Sequence, residues 1–160
     1  MSILRLFTDG SVDANSKVGV GAYLLIPEAV GFSESLQHKV VLKRFGKTSS
    51  TQLELETLLW AWGQVSDVSR QTVIIYTDSQ NILSLLKRRS RLEASGFRNK
   101  EGKRLKHEML YRCFYRMLDE KGGELIKVKG HSIQADKDEV DHLFQLVDRA
   151  SRKGLRELSD

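Results

Sequence analysis

The sequence predicts an α/β fold, a five-stranded mixed β-sheet with helices on both faces. Three observations carry this reading. The first third of the chain holds three β-branched and aliphatic runs separated by turn residues, as in an antiparallel meander. The remainder alternates helical spacing with two further strand-like runs, giving the order β-β-β-α-β-α-α-β-α. The fourth run, Thr72 to Tyr76, is almost continuously apolar, as a strand covered on both faces must be.

Taken in order, Ile3 to Thr8 predicts a first strand running into a turn at Asp9-Gly10-Ser11. Val18 to Ile26 predicts a second, in which Gly19 and Gly21 point to close backbone approach and which Pro27 ends. Lys39 to Phe45 predicts the third. Gly46 to Thr51 is rich in Ser and Thr, suited to capping a helix over Leu53 to Val65, where Leu55, Leu58, Leu59 and Trp62 recur at helical spacing. Beyond Thr72–Tyr76, a helix is predicted over Asn81 to Leu86, then a loop-like segment around Gly96 and Gly102. A helix over Leu105 to Leu118 follows, with Met109, Leu110, Cys113, Phe114 and Met117 on its apolar face, so Cys113 reads as a packed thiol. Glu124 to Val128 predicts the fifth strand, and Asp138 to Leu158 a terminal helix after a polar loop.

No repeat or low-complexity linker divides the 160 residues, so residues 1–160 read as a single domain, with 40% hydrophobic residues to build its core. A lone cysteine excludes internal disulfides and multi-cysteine zinc sites. The longest apolar run, Val18 to Ile26, is far shorter than a membrane span, and the N-terminus lacks the pattern of a signal peptide. The expectation is a soluble, cytoplasmic protein of a reducing compartment, a monomer as the simplest state, with no membrane association and no protein partner implied.

Charge is concentrated rather than spread. The chain is +5 overall, but Lys87 to Lys106 alone holds nine basic and two acidic residues, so this segment is +7 and the rest slightly acidic. Such a patch is the electrostatic footprint of a polyanion partner.

Two strands lead into an Asp preceded by Thr, at Thr8-Asp9 and Thr77-Asp78. Ligands of such sheets gather beyond strand ends, where two distant Asp residues can meet. Glu54, in the first turn of the following helix, falls at the same end of the molecule. Clustered carboxylates repel one another and are sustained chiefly by divalent cations, and oxygen-only ligands favour Mg²⁺ or Mn²⁺.

These segments carry a resemblance. Thr8-Asp9-Gly10-Ser11 with Asn15 and the following Gly-x-Gly-x-Tyr strand, Ser50-Thr51-Gln52-Leu53-Glu54-Leu55, Tyr76-Thr77-Asp78-Ser79-Gln80 and Val128-Lys129-Gly130-His131-Ser132 occur in the order of the type 1 ribonuclease H family. The resemblance implies a ribonuclease H-like fold. It also implies an endonuclease that cuts the RNA strand of RNA–DNA hybrids to 5′-phosphate and 3′-hydroxyl ends, with two Mg²⁺ ions and Mn²⁺ as an alternative. Asp9, Glu54 and Asp78 become metal ligands, and His131 a proton-exchanging loop residue. Glu56, about 200° around the helix from Glu54, reads instead as a solvated charge.

The fourth carboxylate has two candidates. Asp148, in Asp148-Arg149-Ala150-Ser151-Arg152, resembles the family's D-x-L-A-R pattern and is favoured. Asp141 is followed by the bulky Phe144 yet matches the family's spacing from His131 better. Seven residues apart, the two share one helix face. Ser11, Asn15, Thr51, Gln52 and Gln80 flank the site and suit contacts to 2′-hydroxyls and base edges. Lys87, Arg88, Arg89 and Arg91 open the basic segment, which resembles the family's DNA-gripping protrusion, although Phe97 is its only aromatic.

Overall fold

The computed structural model describes residues 2–66, 72–128 and 138–158. Five strands, β1 (Ile3–Asp13), β2 (Val18–Pro27), β3 (Val41–Phe45), β4 (Thr72–Thr77) and β5 (Glu124–Lys127), form one sheet in the order β3-β2-β1-β4-β5. β1, β2 and β3 pair antiparallel; β4 lies parallel to β1 and β5 parallel to β4. Among the described residues four α-helices complete the fold: α1 (Ser50–Gly63), α2 (Gln80–Ala94), α3 (Glu108–Lys121) and α4 (Glu139–Leu158). The α/β fold expected from the sequence, a five-stranded mixed sheet with helices on both faces, is the fold observed.

Alternation along β1 sorts its side chains between two cores. Leu6 joins Leu55, Leu58, Trp62, Ile75, Leu85 and Phe114 under α1, α2 and α3. Phe7 joins Leu24, Ile26, Tyr76, Leu143 and Val147 under α4, where its ring stacks on Tyr76 at 4.8 Å. The same alternation sends Arg5 and Asp9 to the α4 side, as their contacts with Glu139 and Asp148 show.

Several predicted boundaries move. β1 does not turn at Asp9; it runs to Asp13, because Gly10 and Ser11 pair with Gly21 and Val20 across the antiparallel ladder. The turn falls later, at residues 14–17, where Lys17 takes a positive φ of 60°. β3 starts at Val41 because Glu34–Lys39 winds into a short 3-10 helix, capped by Ser33 and anchored by the buried Leu36. α2 continues eight residues past Leu86, since Leu92 repeats the buried stripe of Leu85 one heptad on and Arg89 pairs with Glu93 at 2.6 Å. Four of the basic residues therefore ride on a helix rather than a loop.

In α3 the buried face is Tyr111, Phe114 and Tyr115, with the Tyr115 hydroxyl donating to the Leu85 carbonyl at 2.6 Å. Met109 is 71% exposed. Cys113 is half-buried beside Arg116 rather than packed in the core. Among the described residues no helix is long and apolar enough to cross a membrane.

Candidate active site

Four elements bring carboxylates to one end of the sheet. β4 runs parallel to β1 with Phe7 opposite Tyr76, so two further residues along each chain set Asp9 beside Asp78. Asp78 is exposed just past the end of β4 and Asp9 is half-buried within β1. Glycines let α1 approach the β1–β2 hairpin. A methyl group on Gly10 would lie 2.9 Å from Leu53 Cδ2, and one on Gly19 2.7 Å from the same atom. That close seat of Leu53 carries its neighbour Glu54 to the site. Ser49 caps α1 by accepting from the Gln52 amide.

Ser79 does two tasks. Its hydroxyl oxygen accepts from the Ile82 amide to cap α2, and its O–H donates to Glu54 Oε2 at 2.6 Å. Ser79 was not among the residues singled out from the sequence. Its place between an Asp and a helix marks it as a cap, but nothing local marks its bond to Glu54. Glu56 is not the solvated charge expected: it is half-buried and accepts from Thr48 Oγ1 at 2.7 Å, away from Ser79 and Asp78.

α4 lies along β1 in three rungs. Arg5 Nη1 donates to Glu139 Oε1 at 2.8 Å, the Asp148 carboxyl lies close enough to Asp9 to raise its pKa, and Ser11 Oγ lies 3.1 Å from Ser151 Oγ. The rungs match in length. Four strand residues span about 13 Å and nine helical residues about 13.5 Å, so pairing Arg5 with Glu139 delivers Asp148 to Asp9. Asp141 lies about 10.5 Å short along the helix. It is buried in the first turn, where its carboxylate accepts from the Asp138 amide at 3.2 Å while Asp138 accepts from the Asp141 amide at 2.9 Å. This is a reciprocal capping box.

Burial, then Asp78, then Asp148 push Asp9 up to about 8 from the ordinary 3.8, although the Gly10 amide opposes this. Glu54 is also raised, mainly by burial and further by Asp78, against the stabilising Ser79 bond. Asp148 is held on its other side by Arg152 Nε at 3.0 Å.

The carboxylates are coupled in sequence, Asp148 to Asp9, Asp9 to Asp78 and Asp78 to Glu54. Among the described residues no three acidic, His or Cys side chains converge into a closed ligand set. Their chemistry nonetheless suits a hard divalent cation: all donors are oxygens, and Asp9 lies half-buried among like charges. The Lys129-Gly130-His131-Ser132 loop lies outside the described residues, so His131 is not located.

The RNase H family model matches residues 2–148, nearly the whole chain. The chain belongs to the RNase H family. Solved structures agree on the fold. A structure of LC9-RNase H1, described as a type 1 RNase H with the type 2 active-site motif, superposes with a TM-score of 0.70 at 16% identity, covering 95% of this chain and 71% of that one. The solution structure of the PFV RNase H domain gives 0.69 at 15% identity, covering 96% and 93%. The native Prototype Foamy Virus protease-reverse transcriptase gives 0.72 at 18% identity; 96% of this chain spans only 21% of that one. No curated protein matches the chain.

The remaining predicted positions lie on β1, the β1–β2 turn, α1, α2 and the segment that follows α2. Ser11 is engaged with Ser151, and Asn15 sits exposed in the β1–β2 turn. Thr51 and Gln52 lie in the first turn of α1. Gln80 starts α2 and accepts from Lys127 Nζ at 3.1 Å. Lys87 and Arg91 are exposed on α2, whereas Arg88 donates to Asn81. Arg89 is held bidentately by Asp119 at 2.7 and 2.6 Å, and its guanidinium lies over the Tyr115 ring. Past α2 the chain forms an ordered loop, with Asn99 Oδ1 accepting from the Glu101 and Lys103 amides. Arg98, Lys100, Lys103, Arg104 and Lys106 are all exposed there. Phe97 is buried under Arg112 at 4.4 Å, so the segment's one aromatic serves its packing.

Proposed function

We propose that this chain is a type 1 ribonuclease H, an endonuclease that hydrolyses the RNA strand of RNA–DNA hybrids to 5′-phosphate and 3′-hydroxyl ends. The observation that carries the reading is the assembly of Asp9, Glu54, Asp78 and Asp148 from four separate elements at one end of an RNase H sheet. Family membership supplies the nuclease class, and one similar structure is a foamy viral protease-reverse transcriptase in complex with an RNA/DNA hybrid, with a TM-score of 0.59.

The four carboxylates would hold two Mg²⁺ ions, with Mn²⁺ as a substitute, which when bound supply Lewis-acid activation of water and charge neutralisation at the departing oxygen. Asp9, which both Asp78 and Asp148 influence, would serve both sides of the site. Ser79 fixes the Glu54 carboxylate. Ser11, Asn15, Thr51, Gln52 and Gln80 offer hydrogen bonds across the shallow minor groove, where 2′-hydroxyls distinguish RNA from DNA. The exposed cations from Lys87 to Lys106 neutralise phosphates of the DNA strand. His131 would serve in proton exchange. The working form is a cytoplasmic monomer.

The test uses end-labelled RNA–DNA hybrid, duplex DNA and duplex RNA, each with Mg²⁺, Mn²⁺ or EDTA. Metal-dependent cutting of the hybrid alone is expected. Binding without cutting under every condition would instead make the chain a non-catalytic nucleic-acid-binding module.

A further inference from the structure

The C-terminal half of α4, which begins just past Asp148, and the residues leading into and along β3 enclose an open groove of about 580 Å³. Arg149, Arg152, Lys153 and Arg156 line it from α4, with Val40 and Leu42 among the residues opposite. All four cations are exposed, and the one acid on this wall is Glu157. Their pairings are loose. Arg149 reaches Glu34 at 3.4 Å and Lys153 reaches Glu157 at 4.0 Å, all at exposed side chains where such pairs contribute little. Arg156 has no ion pair among the described residues. Only Arg152 is closely held, and its partner is Asp148.

We propose that this groove is a second backbone subsite, taking consecutive phosphates of the nucleic acid as it leaves the carboxylates. The inference rests on the ribonuclease reading and extends it. Arg152 both touches Asp148 and lines the groove, so the cationic track begins at the site itself. Arg149, Arg152–Lys153 and Arg156 recur once per helical turn over about 10.5 Å. A nucleic-acid strand presents one phosphate about every 3.4 Å along its axis, so the track spans about three. No Phe, Tyr or Trp lines the groove and His38 is its one ring, so four cations against a single ring suit it to backbone rather than to stacked bases. The α2 cations belong to the opposite face of the sheet, under which α1, α2 and α3 pack, so a duplex across the sheet end is held from both faces.

The test measures hybrid binding by anisotropy in EDTA, from 50 to 200 mM salt, for the wild type and for Arg149→Ala/Lys153→Ala/Arg156→Ala. Arg152 is left intact because it touches Asp148. The slope of log affinity against log salt should shrink by about 2 to 3, with affinity falling about tenfold or more at 100 mM salt. The charge-keeping Arg149→Lys/Arg156→Lys should retain the wild-type slope. An unchanged slope in the triple variant, with cutting by the wild type intact, overturns the groove alone. Hybrid binding preserved while binding to a polyglutamate probe is lost overturns it in favour of an acidic protein partner. A wild type that neither binds nor cuts the hybrid removes the ribonuclease reading, and the subsite with it.

Discussion

The Arg5 guanidinium, 134 residues from Glu139 in sequence, donates to its carboxylate at 2.8 Å and to the Val30 carbonyl at 2.6 Å. Arg5 is buried while the Glu139 side chain is half exposed. The pair fixes where α4 sits along β1, and with it the height of Asp148. Apolar packing of Leu143, Phe144 and Val147 fixes rotation, but it is non-directional and tolerates small axial shifts that a hydrogen-bonded ion pair does not.

Glu139→Ala should therefore cost about 1 to 2 kcal/mol, discounted for the exposure of one partner. It should also weaken Mg²⁺ binding to the free protein severalfold by calorimetry. Val73→Ala, in the core of the opposite face, should lower stability without changing Mg²⁺ affinity. Equal affinities in the two variants would reduce the pair to a simple staple.

Asp148→Asn should abolish cleavage with the fold intact by circular dichroism. Asp141→Asn should keep activity and lose about 1 kcal/mol through the weakened capping box. Cleavage assays and thermal melts on both variants check this, and the reverse pattern would reassign the fourth carboxylate.

Ser79→Ala removes the α2 cap and the bond to Glu54 together. A loss of about 1 to 2 kcal/mol is expected, with kcat falling more than KM changes. Ser79→Thr, which retains the hydroxyl, should recover most of both. Recovery of stability without recovery of kcat would confine Ser79 to capping.

Asp9 binds a proton in the folded, metal-free chain up to about pH 8, whereas the unfolded chain releases it near 3.8. The folded state thus holds more protons between these values, and stability increases as pH falls through that window. In EDTA, the melting temperature should rise as pH is lowered from 8 toward 5. Asp9→Asn should flatten the rise and be more stable than wild type at pH 8. A wild-type melting temperature independent of pH in EDTA would contradict the crowding of carboxylates around Asp9.

Much of this was legible in one dimension. The central strand showed in the unbroken run at Thr72–Tyr76, the close seat of α1 in Gly19 and Gly21, and the pairing of Asp9 with Asp78 in two Thr-Asp strand motifs. These are local patterns, and local sterics and periodicity decide them. The true end of β1 was not legible, because Gly10 and Ser11 look like a turn until a partner strand pairs with them. Nor was the length of α2, whose stripe runs on to Leu92 beneath a screen of basic residues.

The sequence alone determined that the chain is an α/β protein with acids at Asp9, Glu54 and Asp78 and one more acid on its last helix. Only the tertiary structure sets one of the two, Asp148, beside Asp9, with Asp141 in the capping turn. Asp141 and Asp148 share a face of the same helix, so no helical pattern separates them. They differ in axial position, and that is set by contacts with β1 that join residues more than 130 positions apart.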